Sequence, residues 1–242
     1  MTLSPDAEAH LRGYHGRGFV LGSDSHRKLI QAYWLTGRSD ASRNRLLRCS
    51  GDCVDVCALN PLLTQDSSLL FYTAMKRLGD YHLVANGDHL GLLEATLLGG
   101  HHIAHALHGM AHEPDAPHFT ARIFGLLKTG SDTGYLGIAR QDVFHPEGHT
   151  RRDYFERHLP PGMGYGLTTY RGDGHPLPPF DGEPFPLPLH GTLLDMADAL
   201  MASLSEDHFI ALVIKEISPD GKVRVILKNK QSPQEAPDDT RH

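Results

Sequence analysis

The sequence predicts an α+β domain built mainly from antiparallel sheets, with helix pairs between long hairpins. Three observations carry this. Strand-like runs come in pairs around tight turn signals, at Ser23-Asp24-Ser25-His26, Ser50-Gly51-Asp52 and Ser218-Pro219-Asp220-Gly221. Helical periodicity is confined to a few segments, most clearly 192–204, where Leu193, Ala197, Leu200 and Leu204 fall in register. No internal repeat or linker divides the chain.

The elements follow in order. Strands are expected at 17–22 and 28–36, then a hairpin over about 45–59. Ser67 or Ser68 caps a predicted helix running to Leu78, with Leu70, Ala74 and Leu78 on one face. A short strand at 81–85 ends at Asn86-Gly87-Asp88, and Asp88 is the expected cap of a helix over 89–98. Gly99-Gly100 breaks that helix, and a second one carries His101, His105, His108 and His112 as a stripe. Strands at 122–128, 135–140 and 165–170 precede the helix at 192–204. The hairpin 209–217 and 222–229 closes the fold. Residues 1–13 read as a flexible leader, 14–230 as one domain and 231–242 as a disordered tail.

Composition narrows the class. The chain has 242 residues, 40% hydrophobic and 21% charged, which suits a soluble globular protein with a sizeable core. A net charge of −6 argues against a nucleic-acid surface, although a basic loop still holds one phosphate on an acidic protein. No apolar run reaches the length of a membrane span, and no signal-type stretch opens the chain, so the expected location is cytoplasmic. Cys49, Cys53 and Cys57 sit four apart, on a hairpin where the thiols do not converge, and read as reduced and unligated. The histidine stripe reads as a solvated face in a chain with 18 histidines, and no metal or cofactor is expected. Self-association stays open.

Three stretches exceed what folding needs. The run 162–180 takes a strand into a Gly172-Asp173-Gly174 turn and a proline-rich segment, the pattern of a strand end that opens onto a ligand. After Tyr33-Trp34, a loop offers Arg38, Ser39, Ser42, Arg43, Asn44 and Arg45, which read either as a solvated polar loop or as a phosphate cradle of guanidinium forks and hydroxyls. Between a predicted helix and strand, Glu113-Pro114-Asp115-Ala116-Pro117 and Arg122 form either an ion-pair knot or the acid and base of a site.

Together with Tyr14-His15-Gly16-Arg17-Gly18, Asn86-Gly87-Asp88 and Tyr170-Arg171-Gly172-Asp173-Gly174 through Glu183-Pro184, these stretches resemble the archaeal-type inosine monophosphate (IMP) cyclohydrolase family over about residues 14–230. The resemblance implies a four-layer α-β-β-α fold like that of N-terminal-nucleophile hydrolases, without use of the N-terminal nucleophile. Loss of Met1 would expose Thr2, but Thr2 lies well before the first expected strand and reads as frayed. The implied reaction closes the purine ring of 5-formamidoimidazole-4-carboxamide ribotide, with loss of water and no cofactor.

That chemistry assigns roles by residue type. Arg38, Arg43 and Arg45 suit the phosphate, supported by Ser39 and Asn44. Glu113 is the first choice of base and Asp115 the second. Tyr72, beside Lys76 on the predicted helix, is the donor to the developing oxyanion or else a core aromatic. Asn86, Asp88, Arg122, Tyr170, Gly172 and Asp173 are expected around the nucleotide. His118 stands where family members often carry asparagine. A related enzyme on another phosphorylated amide, or a nucleotide-binding module without catalysis, stays open as an alternative.

Overall fold

A computed structural model describes residues 4–63, 69–142, 144–145 and 149–232. The helices are α1 (Pro5–Arg12), α2 (Asp40–Arg43), α3 (Leu90–Leu98), α4 (Ala106–Gly109) and α5 (Leu193–Ser203). The strands are β1 (Arg17–Ser23), β2 (Leu29–Thr36), β3 (Arg45–Ser50), β4 (Cys53–Ala58), β5 (Tyr72–Leu78), β6 (Tyr81–Ala85), β7 (Arg122–Lys128), β8 (Thr133–Gln141), β9 (Thr150–His158), β10 (Met163–Thr168), β11 (Phe185–Pro188), β12 (Phe209–Ile217) and β13 (Val223–Asn229). Among the described residues they form a six-stranded sheet in the order β11-β10-β1-β2-β12-β13 and a seven-stranded sheet in the order β3-β4-β5-β6-β7-β8-β9. Every strand pairing is antiparallel, as the hairpin signals require.

The period of two decides what each face buries. In β1 and β2, Phe19, Leu21, Tyr33 and Leu35 join Leu47, Val56, Ala74, Met75, Val84 and Ile123 of the other sheet in one cluster. Their neighbours Val20, Ile30, Ala32 and Trp34 face the opposite way, against Leu11 of α1 and Leu193, Met196, Ala197 and Leu200 of α5. On the seven-stranded sheet, Leu83, Ala85, Phe124, Leu126 and Ala139 pack against Leu90, Leu93, Ile103 and Leu107. Burying each large apolar side chain contributes about 1.5–3 kcal/mol, which is why β1 and β2 read as continuous apolar runs. Helix α5 starts on a capping box of Thr192 and Asp195 and buries the stripe expected of it.

Several expectations are corrected. The helix expected to end at Leu78 is strand β5, paired with β4 and β6. A spacing of four places Leu70, Ala74 and Leu78 on one face of a helix and also on one face of a strand, so the pattern did not discriminate. The proposed caps Ser67 and Ser68 lie outside the described residues, as do Thr2 and residues 233–242. Asp88 does not cap α3: its N-cap is His89, without a side-chain bond. The histidine segment is a short 3-10 turn at Ile103–His105 and one helical turn, not a long helix. His101 stacks on His105, which meets His108 edge to face, while His112 packs on Phe119. Among the described residues no group of histidine, cysteine and carboxylate side chains is set to hold a metal.

Besides the single-turn helix α2, three further labelled elements went unforeseen. Helix α1 lies within the stretch expected as a leader, and its Leu11 is fully buried. Strand β9 is a charged edge strand with no clean alternation, paired to β8 along its whole length. Strand β11 contains Pro186 and Pro188 and sits at the other sheet's edge, where a missing N–H costs least.

Two buried histidines make the fold acid-sensitive. His15 lies beside the Gly13 carbonyl through Nδ1 (3.0 Å), and its Nε2 accepts the Trp34 indole N–H at 2.7 Å. Those partners require the neutral ring with its proton on Nδ1. His89 places Nε2 3.1 Å from the Ile123 carbonyl. Burial pushes both rings down to about 3. Because the folded state disfavours the charged ring, this stability is complete above about pH 6.5 and is lost as pH falls toward 3. Each ring should cost about 2 kcal/mol at pH 5, so the urea midpoint should fall clearly between pH 7.5 and 5. An unchanged midpoint would show that neither ring is held neutral.

Candidate functional site

A cavity of about 520 Å³ opens between the two sheets at one end of β1 and β2. That volume suits a mononucleotide-sized ligand. Its walls come from five distant stretches: Tyr14, Gly16 and Arg17; Thr36 through Arg45; Leu69 and Leu70; Glu113 through Thr120; and Tyr170 with Leu177. Antiparallel pairing of β1 with both β2 and β10 gathers three of them. Gly16 makes the entry to β1 possible. Its φ is +73°, and a Cβ there would lie 2.2 Å from Thr169 Oγ1.

One wall is cationic. Arg45, the first residue of β3, is 5% exposed. Its guanidinium donates to the carbonyls of Ser42 (2.7 Å) and Thr36 (3.2 Å). Among the described residues no carboxylate pairs with it. Burial, with Arg17 adding to it, lowers its pKa. A buried cation without a counter-ion at a cavity wall is unfavourable unless an anion joins it. Arg38 stands beside it, 4.5 Å over the Tyr14 ring, with Nη1 3.1 Å from Asp173 Oδ1. Ser39 lines the same wall and caps α2, accepting the Ser42 N–H.

The opposite wall is acidic. Glu113 is buried, and its N–H bonds the Thr120 carbonyl at 2.8 Å. Its carboxylate accepts from Arg17 Nη2 at 3.0 Å, while Arg17 Nη1 donates to the Asn86 carbonyl at 2.7 Å. Burial pushes the Glu113 carboxyl up, against the pull of Arg17. Arg17 is held firmly protonated: burial acts against its charge, but Glu113 and the surrounding tyrosines outweigh that. Asp115 accepts the Thr120 N–H at 2.7 Å and also the Thr120 hydroxyl. The Thr120 hydroxyl lies 2.5 Å from that of Tyr170.

The remaining expected residues divide. Arg43 is exposed and lines a neighbouring recess with Asp207 and Lys230, which Arg45 also borders, so of the three arginines only Arg38 and Arg45 line the cavity. Asn44 exchanges two hydrogen bonds with the Asn60 backbone and shapes the loop. Asn86 uses its side chain on Ala121 and Ile123, and so fixes the carbonyl that holds Arg17. Asp88 and Arg122 pair with each other at 3.1 Å, off the cavity wall. Tyr72 sits behind Arg17, its hydroxyl 2.7 Å from that of Tyr33 and its ring 6.0 Å from the Arg17 guanidinium. Gly172 does not line the cavity, whereas Asp173 reaches it through Arg38. Tyr14, Arg17, Thr36 and Thr120 line it without having been assigned roles. Arg17 lies inside the Tyr14–Gly18 motif and was the one with a signal. The single hydroxyls carry none until the fold gathers them.

Fold and cavity together define a mixed α/β protein with two antiparallel sheets and a cation-walled pocket between them. The family model described as "IMP cyclohydrolase-like protein" matches residues 14–221, and the chain belongs to that family. No curated protein gives a match. No described helix is long and apolar enough to cross a membrane.

Proposed function

We propose that the protein closes the purine ring of 5-formamidoimidazole-4-carboxamide ribotide, giving IMP and water. The observation that carries the reading is Arg45, a buried cation on the cavity wall with no carboxylate partner among the described residues, which suits the substrate's 5′-phosphate. Arg38 adds a second fork, released from Asp173 as the phosphate binds. The heterocycle then lies toward Glu113, where both reacting groups are held in contact.

Glu113 takes a proton from the carboxamide nitrogen as that nitrogen attacks the formyl carbon, and returns it to the formyl oxygen. A carboxyl raised by burial is suited to both steps near neutral pH. Arg17, with Tyr72 beneath it, holds Glu113 in place and provides positive charge near the developing oxyanion. In the same reading, helices packed outside both sheets form the four-layer arrangement of N-terminal-nucleophile hydrolases. His118 on the cavity wall favours a second reading, a different phosphorylated amide as substrate.

An ultraviolet assay of ring closure on the formamido ribotide tests the proposal, and no turnover by the wild type would overturn it. The phosphate assignment has its own check. Arg45→Met should raise KM roughly 10- to 100-fold, the loss of a charge-assisted bond of about 1.5–3 kcal/mol. Arg43→Ala should leave KM unchanged. Equal effects of the two substitutions would remove Arg45 from the phosphate site.

A further inference from the structure

The loop from Glu113 to Thr120 and the chain just after β10 meet in a run of hydroxyls that the scheme above leaves idle. Asp115 Oδ2 accepts the Thr120 hydroxyl, and Oδ1 accepts the Thr120 N–H at 2.7 Å. A threonine hydroxyl has one proton, and a carboxylate only accepts. With that proton directed to Asp115, the Thr120 oxygen accepts from the Tyr170 phenol 2.5 Å away. Tyr170 therefore donates to Thr120, and its oxygen retains acceptor capacity. All three residues line the cavity, and Thr120 is 1% exposed. Burial pushes the phenol up to about 12, so at neutral pH Tyr170 takes a proton only by passing its own along.

We propose that Tyr170 and Thr120 form a two-hydroxyl relay that carries the second substrate proton to Asp115. The proposal rests on the cyclohydrolase reading. Ring closure through Glu113 leaves a carbinolamine, whose formamido nitrogen still bears a hydrogen that aromatisation must remove. That proton passes to the Tyr170 oxygen, the phenol proton to Thr120 Oγ1, and the Thr120 proton to Asp115 Oδ2. The electron pair of the N–H bond forms the ring C=N double bond as the C–O bond breaks and hydroxide leaves. The hydroxide takes the proton from Asp115, which makes the water and restores the carboxylate. Two carboxylates then divide two proton transfers, with Glu113 serving the carboxamide and Asp115 the formamide.

Thr120→Val keeps the shape and the backbone bond to Asp115 and removes only the hydroxyl. Its kcat for ring closure should fall at least about tenfold, with KM within about threefold of wild type. Adding Asp115→Asn to Thr120→Val should lower kcat no further, because the relay to Asp115 is already cut. Thr120→Ser, which restores the hydroxyl, should recover most of the rate. Tyr170→Phe should match Thr120→Val, and it decides the matter if the valine variant fails to fold. Wild-type kcat in either variant while the wild type turns over overturns the relay alone. So does a serine variant as slow as the valine one. No turnover by the wild type overturns the cyclohydrolase reading, and the relay's step with it.

Discussion

Glu113→Gln is expected to lower kcat for ring closure by about 10²- to 10⁴-fold while nucleotide binding changes little. Glutamine keeps the shape and can still accept from Arg17, whose Nη2 lies 3.0 Å from Glu113 Oε2. It cannot take a proton from the carboxamide. Since burial raises the Glu113 carboxyl, and the base acts deprotonated, wild-type activity should fall with acid above the usual carboxylate range. That limb should vanish from the residual activity of the glutamine variant. Steady-state kinetics against pH, with IMP affinity measured in parallel, separates the outcomes. A glutamine variant with wild-type kcat would make Glu113 a structural partner of Arg17 and no more.

The second large effect is on stability. Arg17→Met should cost about 3–5 kcal/mol, because it leaves a carboxylate buried without its counter-charge. Arg17 and Glu113 have side chains only 8% and 3% exposed, so water does not replace the lost partner. The double variant Arg17→Met/Glu113→Gln should recover much of that loss, since it removes the charge as well. The sign with pH follows. Without Arg17 the carboxyl rises further in the folded state, which then binds its proton more tightly than the unfolded chain does. The gap between variant and wild type should therefore narrow as pH falls and widen as it rises. Urea midpoints of all three proteins at pH 5 and 8 measure it. A double variant as unstable as the single one would show that Arg17 acts through packing on Tyr72.

The two walls of the cavity differ in how much charge they neutralise internally. The acidic wall is paired to Arg17 and to Thr120. The cationic wall has Arg45, without a carboxylate partner among the described residues, and Arg38 on an exposed one, Asp173, which is 62% exposed. Exposed pairs are weak, so freeing Arg38 from Asp173 costs little.

Turns and long amphipathic faces were legible in the sequence because their signals are local. The Ser50-Gly51-Asp52 turn, with Gly51 at φ +57°, joins β3 to β4 where expected, and α5 carries its own cap and apolar stripe. The family followed from five short motifs in order, and the cationic loop after β2 was visible as composition. The tertiary structure alone decided which of those residues line the cavity. Arg43 and Arg45 are two positions apart and chemically identical, yet one ends α2 in solvent and the other begins β3 at the cavity wall. Tyr72 changed from helix to strand because a spacing of four fits both, and only pairing with β4 and β6 selects between them. The Tyr170–Thr120–Asp115 chain joins residues up to 55 positions apart in the sequence. Hydrogen-bond geometry is non-local, so it exists only once the two sheets have closed on each other.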